Sequence, residues 1–558
     1  MPHVSALTPG TVHTDVLIAG GGPCGLMLAL ELGKRQVRCL LVDPKPGTAF
    51  NPQANATQAR SMEHFRRHGF ADEIRRQGLP PDHPTDIAYF TRYAGHELAR
   101  LRLPTAAQAT QVIKGMGGSW SAAELPHRVS QKFVEATLLR HARMLPTADL
   151  RYQHTLLGFA DHADGVVAQV QNLADGQRLN VQARYLVGAD GARSLVRNQL
   201  GFAWAGATGM RREFMGGKMF AVYLRAPAFY TRLAHDRAWM YVTVNPERRA
   251  FMATVDGQGE FAFHAAIHDG EDADAWTAAD AQRVFDQAMG QHLPIEVLSV
   301  TTWTAGHALY AEKMQQRRVF IAGDAAHLFT PTGGLGYNTA VDDAVNLGWK
   351  LAHVIQGVAP AQLLDSYEHE RLPVARRNTG YARQFADSVG LFAATPALEQ
   401  DGAGGDAARQ AASDHLNAHV RLEFNIPGVT FGGRYDGSPV IVADGTAPPP
   451  DHPNVYTPSA CPGGRPPHLW LDAQTSLYDR FGFDWTLLCL GDQSAAATQF
   501  AQAAEALGLH LHITRCDAPA LRDLYQSPLA LIRPDQVVAW RGQNADQAQG
   551  VLRQVLGT

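Results

Sequence analysis

The stretch RRVFIAGDAAHLFTPTGGLGYNTAVDDAVNLGWKLAHVI, from Arg317 to Ile355, is the most informative part of this chain. A short apolar strand predicted at 319–322 runs into Gly323-Asp324, and a polar, glycine-rich loop then leads to a long helix that opens near Gly336. The start of such a helix offers unpaired backbone N–H groups and the positive end of a dipole. We therefore expect this segment to hold a phosphate or a developing anion.

A second glycine loop lies near the N-terminus. The apolar run DVLIA leads into GGGPCG, then into the helical pattern LMLALELGKR and a second buried strand, VRCLLVD. Gly20, Gly22 and Gly25 fit the G-x-G-x-x-G pattern, and Asp43 ends the second strand, where an acidic side chain would accept hydrogen bonds from ribose hydroxyls. This unit predicts a bound dinucleotide, and by itself it leaves NAD and FAD both open.

Two further loops that follow strands, at Asp190-Gly191 and Gly323-Asp324, favour FAD. A simple dehydrogenase would need only the first unit. Asp324 is placed to reach a sugar hydroxyl on the flavin side of the cofactor, and residues 331–338 (PTGGLGYN) would lie along an edge of the isoalloxazine. The N–H groups of the helix start could there stabilise the negative charge of a reduced flavin. The separated loops therefore predict one long cofactor held at both ends.

Composition excludes several other classes of protein. At 558 residues the chain is long enough for two or three domains, and its formal net charge of −4 argues against a nucleic-acid partner. Five scattered cysteines without a CxxC pair indicate a reducing cytoplasm, with neither a disulfide frame nor a zinc site. The N-terminal segment lacks the features of a signal peptide, and no apolar run is long enough to span a bilayer. We expect a cytoplasmic protein with no metal.

Together these segments resemble the class A, single-component flavoprotein aromatic hydroxylases, the family with the para-hydroxybenzoate hydroxylase fold. Three motifs carry the resemblance, which covers essentially the whole chain: GGGPCG, LVGADGARSLVR and IAGDAAHLFTPTGGLGYNTAVDDAVNLGWKL. The C-terminal sequence, from TPSACPGGRPPHLWL to ALIRPDQVVAWRG, is similar to the thioredoxin-like domain of the phenol-hydroxylase subgroup. Without a CxxC motif, that domain is expected to be redox-inert and to serve packing or dimer contacts.

The resemblance implies an α/β fold in which a Rossmann-like FAD-binding domain carries an inserted antiparallel β-sheet substrate domain and is followed by a thioredoxin-like α/β domain. The predicted divisions are 1–85, 106–201 and 304–395 for the FAD-binding domain, 86–105 for a substrate-domain hairpin, 202–303 for the β-rich substrate domain, 396–438 for a connection, and 439–558 for the C-terminal domain. The Ala/Gly/Asp-rich sequence LEQDGAGGDAARQAASD predicts that the connection is mobile.

For activity, the resemblance implies an NAD(P)H-dependent monooxygenase that hydroxylates a phenolic compound with O2 through a flavin C4a-hydroperoxide, as in phenol degradation. FAD would be bound non-covalently, NAD(P)H would dock only transiently, and the protein would be a homodimer. Two alternatives stay open. One is a related flavoprotein that oxidises, epoxidises or performs Baeyer–Villiger insertion on a polyketide-like aromatic, and the other is a non-catalytic flavin-binding protein. The sequence does not give the ring, the position hydroxylated, any displaced substituent, or the choice of NADH over NADPH.

The resemblance also assigns candidate site residues. Gln131 matches the family glutamine that approaches the cofactor, and Arg128 lies one turn earlier in a helix predicted over 127–145. The full set of expected cofactor-binding residues is Gly20, Gly22, Pro23, Cys24, Gly25, Asp43, Arg128, Gln131, Asp190, Gly191, Gly323, Asp324, Pro331, Gly334, Leu335, Gly336, Tyr337 and Asn338. Strand placement predicts that the substrate pocket is lined by Tyr89, Trp239, Tyr241, Phe263 and His264.

One segment departs from the family pattern. In FNPQANATQARSMEHFRRHGF, Gln53 stands where many relatives carry a basic residue, and Asn55 stands where some phenol hydroxylases place an acidic or histidine base. An amide cannot deprotonate a phenol. Either another residue or a water does so, or the substrate arrives already ionised. The candidate catalytic residues are therefore Asn55, Tyr241 and His264, all on the substrate side.

Overall fold

The computed structural model describes residues 11–210, 212, 214–272 and 275–558. The strands are β1 Thr11–Ala19, β2 Cys39–Asp43, β3 Ile87–Phe90, β4 Glu97–Leu101, β5 Ala148–Tyr152, β6 His154–Asp161, β7 Val166–Asn172, β8 Arg178–Gly188, β9 Trp204–Ala207, β10 Gly217–Arg225, β11 Met240–Thr243, β12 Ala250–Thr254, β13 Glu260–Ala266, β14 Glu296–Ala305, β15 Ala308–Ala311, β16 Gln315–Gln316, β17 Val319–Ile321, β18 His327–Leu328, β19 Trp485–Leu490, β20 Leu511–Cys516, β21 Leu529–Ile532 and β22 Val538–Gly542.

The helices are α1 Pro23–Lys34, α2 Ala59–His68, α3 Ala71–Arg75, α4 Ala106–Gly115, α5 Gln131–Arg143, α6 Leu195–Leu200, α7 Phe229–Arg232, α8 Ala278–Met289, α9 Leu335–Ile355, α10 Ser366–Gly390, α11 Ala403–Phe424, α12 Pro427–Phe431, α13 Ser494–Ala506, α14 Pro519–Tyr525 and α15 Ala548–Val555. Within the described ranges, none of them combines the length and the apolar character needed to cross a bilayer.

Among the described residues, the first sheet has eight strands in the order β16-β17-β8-β1-β2-β5, with β7 paired to β8 and β6 paired to β7. The strands β17, β8, β1, β2 and β5 run parallel to one another, and β16 and β7 are antiparallel to their partners. Its central strands are buried on both faces, as expected for a parallel sheet covered by helices. Because parallel strands end at the same edge, the loops that follow β1, β8 and β17 are brought together. These are the three glycine loops that the sequence singled out.

The second sheet has the order β14-β10-β13-β12-β11-β3-β4 and lies in the region expected to form the substrate domain. The hairpin β3–β4 joins this sheet through a parallel pairing of β3 with β11. One face of the sheet packs toward the FAD-binding domain and α11, and the other is covered by α7 and α8. The strand β9, by contrast, pairs with β15 in a small separate sheet.

The segment 396–438, predicted to be a mobile connection, is largely helical, so that prediction is wrong. Helix α11 packs its buried residues Ala412, Leu416 and Val420 against the second sheet, beside β4. Alanine has the highest helix propensity, and a spacing of four residues places these side chains on one stripe. The sequence carried this signal, but the nearby glycines and aspartates obscured it.

The C-terminal sheet has the order β20-β19-β21-β22, with β19 parallel to β20 and antiparallel to β21. A cluster of buried charges joins this domain to the long helices α9 and α10. Glu370 accepts hydrogen bonds from Lys350 (2.6 Å), from both terminal nitrogens of Arg533 (2.6 and 2.8 Å), from Asn346 (2.8 Å) and from Ser438 (2.6 Å). Although burial opposes ionisation, Arg533 and Lys350 hold the pKa of Glu370 far below its usual value.

We predict that Glu370→Gln lowers the free energy of unfolding by about 3–5 kcal/mol, because it leaves the buried charges of Lys350 and Arg533 undercompensated. The matched control is Glu296→Gln, which removes an exposed pair with Arg225 and should cost at most about 1 kcal/mol. Denaturant unfolding measures both variants. Equal losses in the two variants would contradict this account of the docking.

A second prediction concerns the pH dependence of stability. His353 on α9 accepts a hydrogen bond from the Trp485 indole N–H (3.2 Å), and burial lowers its pKa from 6.5 to about 4. Below pH 6.5 the unfolded chain binds a proton that the folded protein does not, so stability falls as the pH drops toward 4, by up to about 1.4 kcal/mol per pH unit. His353→Gln keeps an acceptor and removes the titration, so this slope should become shallower. An unchanged slope would refute the assignment.

Candidate active site

The first glycine loop is shaped for a ligand at the start of α1. Gly22 is the N-cap residue, no side chain caps the helix, and a Cβ added at Gly22 would meet no protein atom within 4 Å. Pro23, at the first helical position, has no N–H to satisfy, whereas the N–H groups of Cys24 and Gly25 point toward this space. The helix start therefore faces an open cradle suited to a pyrophosphate.

Asp43 fixes the shape of the same loop. Its two carboxylate oxygens accept hydrogen bonds from the backbone N–H of Gly21 (2.6 Å) and of Lys45 (2.8 Å). The side chain is buried, and Tyr152 donates a hydrogen bond to the Gly21 carbonyl from the other side (3.2 Å). The loop's own N–H groups therefore use part of the hydrogen-bonding capacity of the Asp43 carboxylate. A hydrogen bond from Asp43 to a ribose stays a prediction.

The three glycine loops converge. Gly20 adopts a positive φ of 109°, and a side chain there would collide with the Ala189 carbonyl just before Asp190-Gly191. Gly323 packs against the Cys24 side chain, with a Cβ position 3.2 Å from its Cβ. Arg197 of α6 donates hydrogen bonds to the carbonyls of Ala192 (3.1 Å) and Ala325 (3.4 Å), which tie the second loop to the third. The three loops therefore lie next to one another at one edge of the first sheet.

Within these loops, the two aspartates differ in role. Asp190 caps α6 by accepting hydrogen bonds from Leu195 (2.8 Å) and Val196 (3.2 Å) through one oxygen. Asp324 is exposed, although Gly323 and Ala325 on either side of it are buried. An exposed carboxylate in an otherwise buried turn is free to accept hydrogen bonds from a ligand, and the contact of Asp324 with a cofactor sugar stays a prediction.

A buried carboxylate that the sequence did not single out supports this turn. Asp343 of α9 accepts hydrogen bonds from the Gly323 N–H (3.0 Å), from His327 (2.7 Å) and from Arg371 of α10 (2.7 Å). Burial alone would raise the pKa of Asp343, but Arg371 and His327 hold it below the usual value. Asp343 lies within the VDDAVNLGWKL motif, yet only the folded structure shows which loop its side chain reaches.

Helix α9 begins at Leu335 after the turn Gly333-Gly334, where both glycines have positive φ. No side chain caps the helix, so its first-turn N–H groups are available to an anion. Pro331 is exposed, and Gly334, Gly336 and Tyr337 are partly exposed, whereas Leu335 is buried. This is the arrangement predicted for a helix start beside an isoalloxazine edge.

Asn338 has its side chain fully engaged within the protein. The amide donates to the carbonyls of Ala56 (2.9 Å) and Gly334 (2.6 Å), and its oxygen accepts from the Gln58 N–H (2.8 Å) and the Ser61 hydroxyl (2.7 Å). The Gln58 side chain in turn donates to the Gly333 carbonyl (2.6 Å). Any contact of Asn338 with a cofactor would therefore be through its backbone, and its side chain holds segment 54–58 against the loop.

The helix predicted over 127–145 begins only at Gln131, so Arg128 does not lie on it. His127 instead pairs with Thr57 in an isolated bridge, and Gln131 donates its backbone N–H to Ala54 (2.6 Å). The Gln131 side chain donates to Glu135 (2.7 Å). Arg128 is buried, with its guanidinium 4.5 Å from the Trp239 ring centroid on the second sheet.

On the substrate side, the alternation of strand residues divides the candidates between the two faces of the sheet. Tyr89 and Trp239 lie on the face toward the FAD-binding domain, and His264 stacks on Phe251 of that face. Tyr241 and Phe263 lie on the opposite face with α7 and α8, so their assignment to the pocket is wrong. The hydroxyl of Tyr241 accepts a hydrogen bond from the Ala238 N–H (2.7 Å), and its ring is buried among the side chains of that opposite face.

His264 and Asn55 are both partly buried. His264 accepts a hydrogen bond at Nδ1 from the Trp303 indole (3.1 Å), and burial lowers its pKa to about 4, so it is neutral at pH 7. The Asn55 side-chain oxygen is buried and has no hydrogen-bond partner among the described residues. Its amide nitrogen makes only a long contact with the Pro52 carbonyl (3.5 Å). Their catalytic roles stay predictions.

Helix α11 supplies residues that the sequence interpretation did not anticipate. Glu423 accepts a hydrogen bond from the Gly333 N–H in the turn before α9 (2.9 Å), and it lies 2.9 Å from His419. Phe424 lies beside Arg128, and the His419 ring meets Tyr89 edge-on. The last turn of α11 therefore closes the space between the flavin loop and the second sheet.

Comparisons with known proteins agree with this geometry. The family described as FAD binding domain matches residues 13–382, and the family described as aromatic-ring hydroxylase, C-terminal, matches residues 459–558. Aklavinone 12-hydroxylase RdmE of Streptomyces purpurascens is 31% identical and aligns over 98% of this chain and 99% of its own length. The 2,4-dichlorophenol 6-monooxygenase of Delftia acidovorans is 28% identical, with 98% of each chain covered.

Among solved structures, the rebeccamycin biosynthetic enzyme RebC with reduced flavin superposes with a TM-score of 0.86 at 34% identity, covering 98% of this chain and 99% of that one. The fold class inferred from the sequence is therefore confirmed, as is FAD as the cofactor. The residues fit this cofactor on independent grounds, since Gly22 leaves open space at a helix start and Asp324 offers a free carboxylate.

We predict that Gly22→Val weakens FAD binding by at least about tenfold while the apoprotein keeps its unfolding temperature, because a Cβ at this position has no protein atom within 4 Å and the side chain would occupy the phosphate cradle. Gly380→Val is the matched control, since Gly380 is an exposed residue of α10 with equally open surroundings. Flavin fluorescence titration of the apoproteins measures the affinity. Unchanged FAD affinity in Gly22→Val would place the pyrophosphate elsewhere.

Proposed function

This chain belongs to the FAD-dependent aromatic-ring hydroxylases, and we propose that it hydroxylates a phenolic ring held between the α9 loop and the second sheet. The enzyme is a flavoprotein monooxygenase. Its relatives act on substrates that range from 2,4-dichlorophenol to aklavinone, so family membership supports an aromatic substrate without fixing its size. One observation carries the proposal, namely that an aromatic wall faces the loop that would hold the flavin.

That wall is built from Tyr89, Trp239 and Phe424, which lie around the last turn of α11, where Glu423 contacts Gly333. Aromatic side chains offer a large apolar surface with little conformational freedom, so they can hold a flat ring in one orientation. Orientation matters because the reacting atoms must be kept in near-attack geometry. The wall also excludes water from the ring, which protects a reactive oxygen donor from side reactions.

Bound FAD would supply the redox chemistry that passes two electrons from NAD(P)H to O2, so that one oxygen atom could be inserted into the ring and the other released as water. The protein contributes electrostatics, because the uncapped start of α9 places partial positive charge where a reduced flavin carries negative charge. Asp343 and Asn338 hold this helix start in place through their hydrogen bonds to Gly323 and to segment 56–58.

Asn55 is the proposed contact for the substrate hydroxyl. Its buried side-chain oxygen has no hydrogen-bond partner in the part of the chain that the structure describes, and a phenol O–H can donate to it. Such a contact orients the phenol but does not remove its proton, because an amide oxygen is not a base. His264, neutral at pH 7, is the proposed second polar contact through its remaining ring nitrogen.

We also propose that the enzyme works as a homodimer in the cytoplasm. The support for a dimer is the resemblance to the phenol-hydroxylase subgroup, whose C-terminal domain serves packing contacts. The support for a reducing compartment is that all five cysteines are free.

The test is turnover of 2,4-dichlorophenol and aklavinone by the holoenzyme with NADH or NADPH under labelled O2. We predict that one of these substrates stimulates NAD(P)H oxidation and acquires a ring hydroxyl that carries a single labelled oxygen atom. The Gly22→Val variant serves as the control that ties turnover to the cofactor. A labelled lactone, an unlabelled quinone, or hydrogen peroxide without any organic product would contradict hydroxylation.

A further inference from the structure

Arg128 is a buried cation without a counter-ion. The residue is 5% exposed, and no hydrogen bond or ion pair joins its guanidinium to any of the residues that the structure describes. Its contacts are aromatic: the guanidinium lies 4.5 Å from the Trp239 ring centroid and 5.9 Å from that of Phe424. Burial lowers its pKa to about 10, so it is still charged at neutral pH. Burying an unpaired charge costs stability, and proteins rarely do so without a functional reason.

The neighbouring carboxylate is already engaged. Glu423 is the nearby charge that favours the cationic form of Arg128, but no ion pair joins the two side chains. Its oxygens instead meet the Gly333 N–H (2.9 Å) and His419 (2.9 Å). Glu423 therefore holds the flavin loop and cannot saturate the five N–H donors of a guanidinium.

A second donor beside Arg128 is also unpaired. The indole N–H of Trp239 is buried and has no hydrogen-bond partner among the described residues. Buried polar groups in native proteins are nearly always paired, so two adjacent donors without acceptors indicate an acceptor that the protein does not itself supply. Both donors lie between the second sheet and the end of α11.

We propose that Arg128 and the indole N–H of Trp239 bind an anionic oxygen of the substrate, either a carboxylate or an ionised phenol. This inference rests on the proposed function, and it moves Arg128 from the cofactor, where the family resemblance placed it, to the substrate. It also answers the question that Asn55 raises. A guanidinium next to the ring stabilises a phenolate, so no side chain has to act as the base.

The test is binding to the holoenzyme, read from the change in flavin absorption. One matched pair of probes is 3-hydroxy-2-naphthoate and its methyl ester, and a second pair is 4-nitrophenol and 4-nitroanisole, at mildly alkaline pH where the nitrophenol is ionised. The wild type should bind the charged member of at least one pair more tightly than the neutral member. A preference within the naphthoate pair indicates a carboxylate ligand, and a preference within the nitrophenol pair indicates a phenolate. Arg128→Met should lower the affinity for the charged member by about tenfold or more and leave the affinity for the neutral member within about twofold of the wild-type value.

Three further variants sharpen the result. Arg128→Lys keeps the positive charge but loses the paired N–H donors of the guanidinium, so it should retain part of the preference for the anionic probe. Trp239→Phe removes the indole N–H while keeping an aromatic ring, and it should lower the affinity for the anionic probe but not for the neutral one. Arg102→Met removes an exposed arginine, 72% of whose side chain is accessible, and should leave the affinity for both probes unchanged.

Stability gives a readout that does not depend on any probe. If Arg128 serves a ligand, Arg128→Met should keep or raise the unfolding temperature, because it removes an unpaired buried charge. A fall in unfolding temperature, a loss of FAD, equal weakening of both members of a pair, or a wild type without preference for either anion would each overturn the proposal. Selective loss of anion binding without hydroxylated product would instead refute the proposed function and leave the binding role of Arg128 intact.

Discussion

The buried carboxylate of Asp343 is the contact on which the active site depends. It binds the Gly323 N–H, His327 and Arg371 at 2.7–3.0 Å, and so joins the end of β17 to the two long helices α9 and α10. The charge of Arg371 keeps this carboxylate ionised despite its burial, so the contact is an ion pair as well as a set of hydrogen bonds. The exposed carboxylate of Asp324 and the uncapped start of α9 both owe their positions to it.

The sequence predicted the part of the site that depends on local chain geometry. Glycine loops after apolar strands, with a helix opening behind them, specify a parallel sheet whose loops meet at one edge, and that prediction held for Gly20, Asp190 and Gly323. It did not predict contacts between distant segments, such as Glu423 with Gly333 or Asn338 with Ala56. The misassigned Tyr241 shows a related limit, because strand alternation gives two faces without saying which one meets the cofactor. The sequence did not predict helix α11, because its first turns are rich in glycine and aspartate, which are typical of loops, and the apolar stripe appears only later in the helix.

The two halves of the site satisfy their polar groups differently. On the cofactor side, the side chains of Asp43, Asp343 and Asn338 are engaged by the protein, which fixes the shape of the loops before any ligand binds. On the substrate side, the Asn55 oxygen and the Trp239 indole N–H are buried, and neither has a hydrogen-bond partner within the described ranges. The cofactor loops are therefore preformed, whereas the substrate side keeps hydrogen-bonding groups available for a ligand. This combination suits an enzyme family that keeps one cofactor and changes its aromatic substrate.

The most direct test is a crystal structure of the holoenzyme with 3-hydroxy-2-naphthoate or 4-nitrophenolate bound. The account predicts the pyrophosphate over Gly22, the flavin ring along the start of α9, and the aromatic ring between Gly333 and the Trp239 wall, with its anionic oxygen within hydrogen-bond distance of Arg128. An Arg128 guanidinium turned to the FAD phosphates or ribityl chain, with the aromatic ring bound away from Trp239, would contradict it.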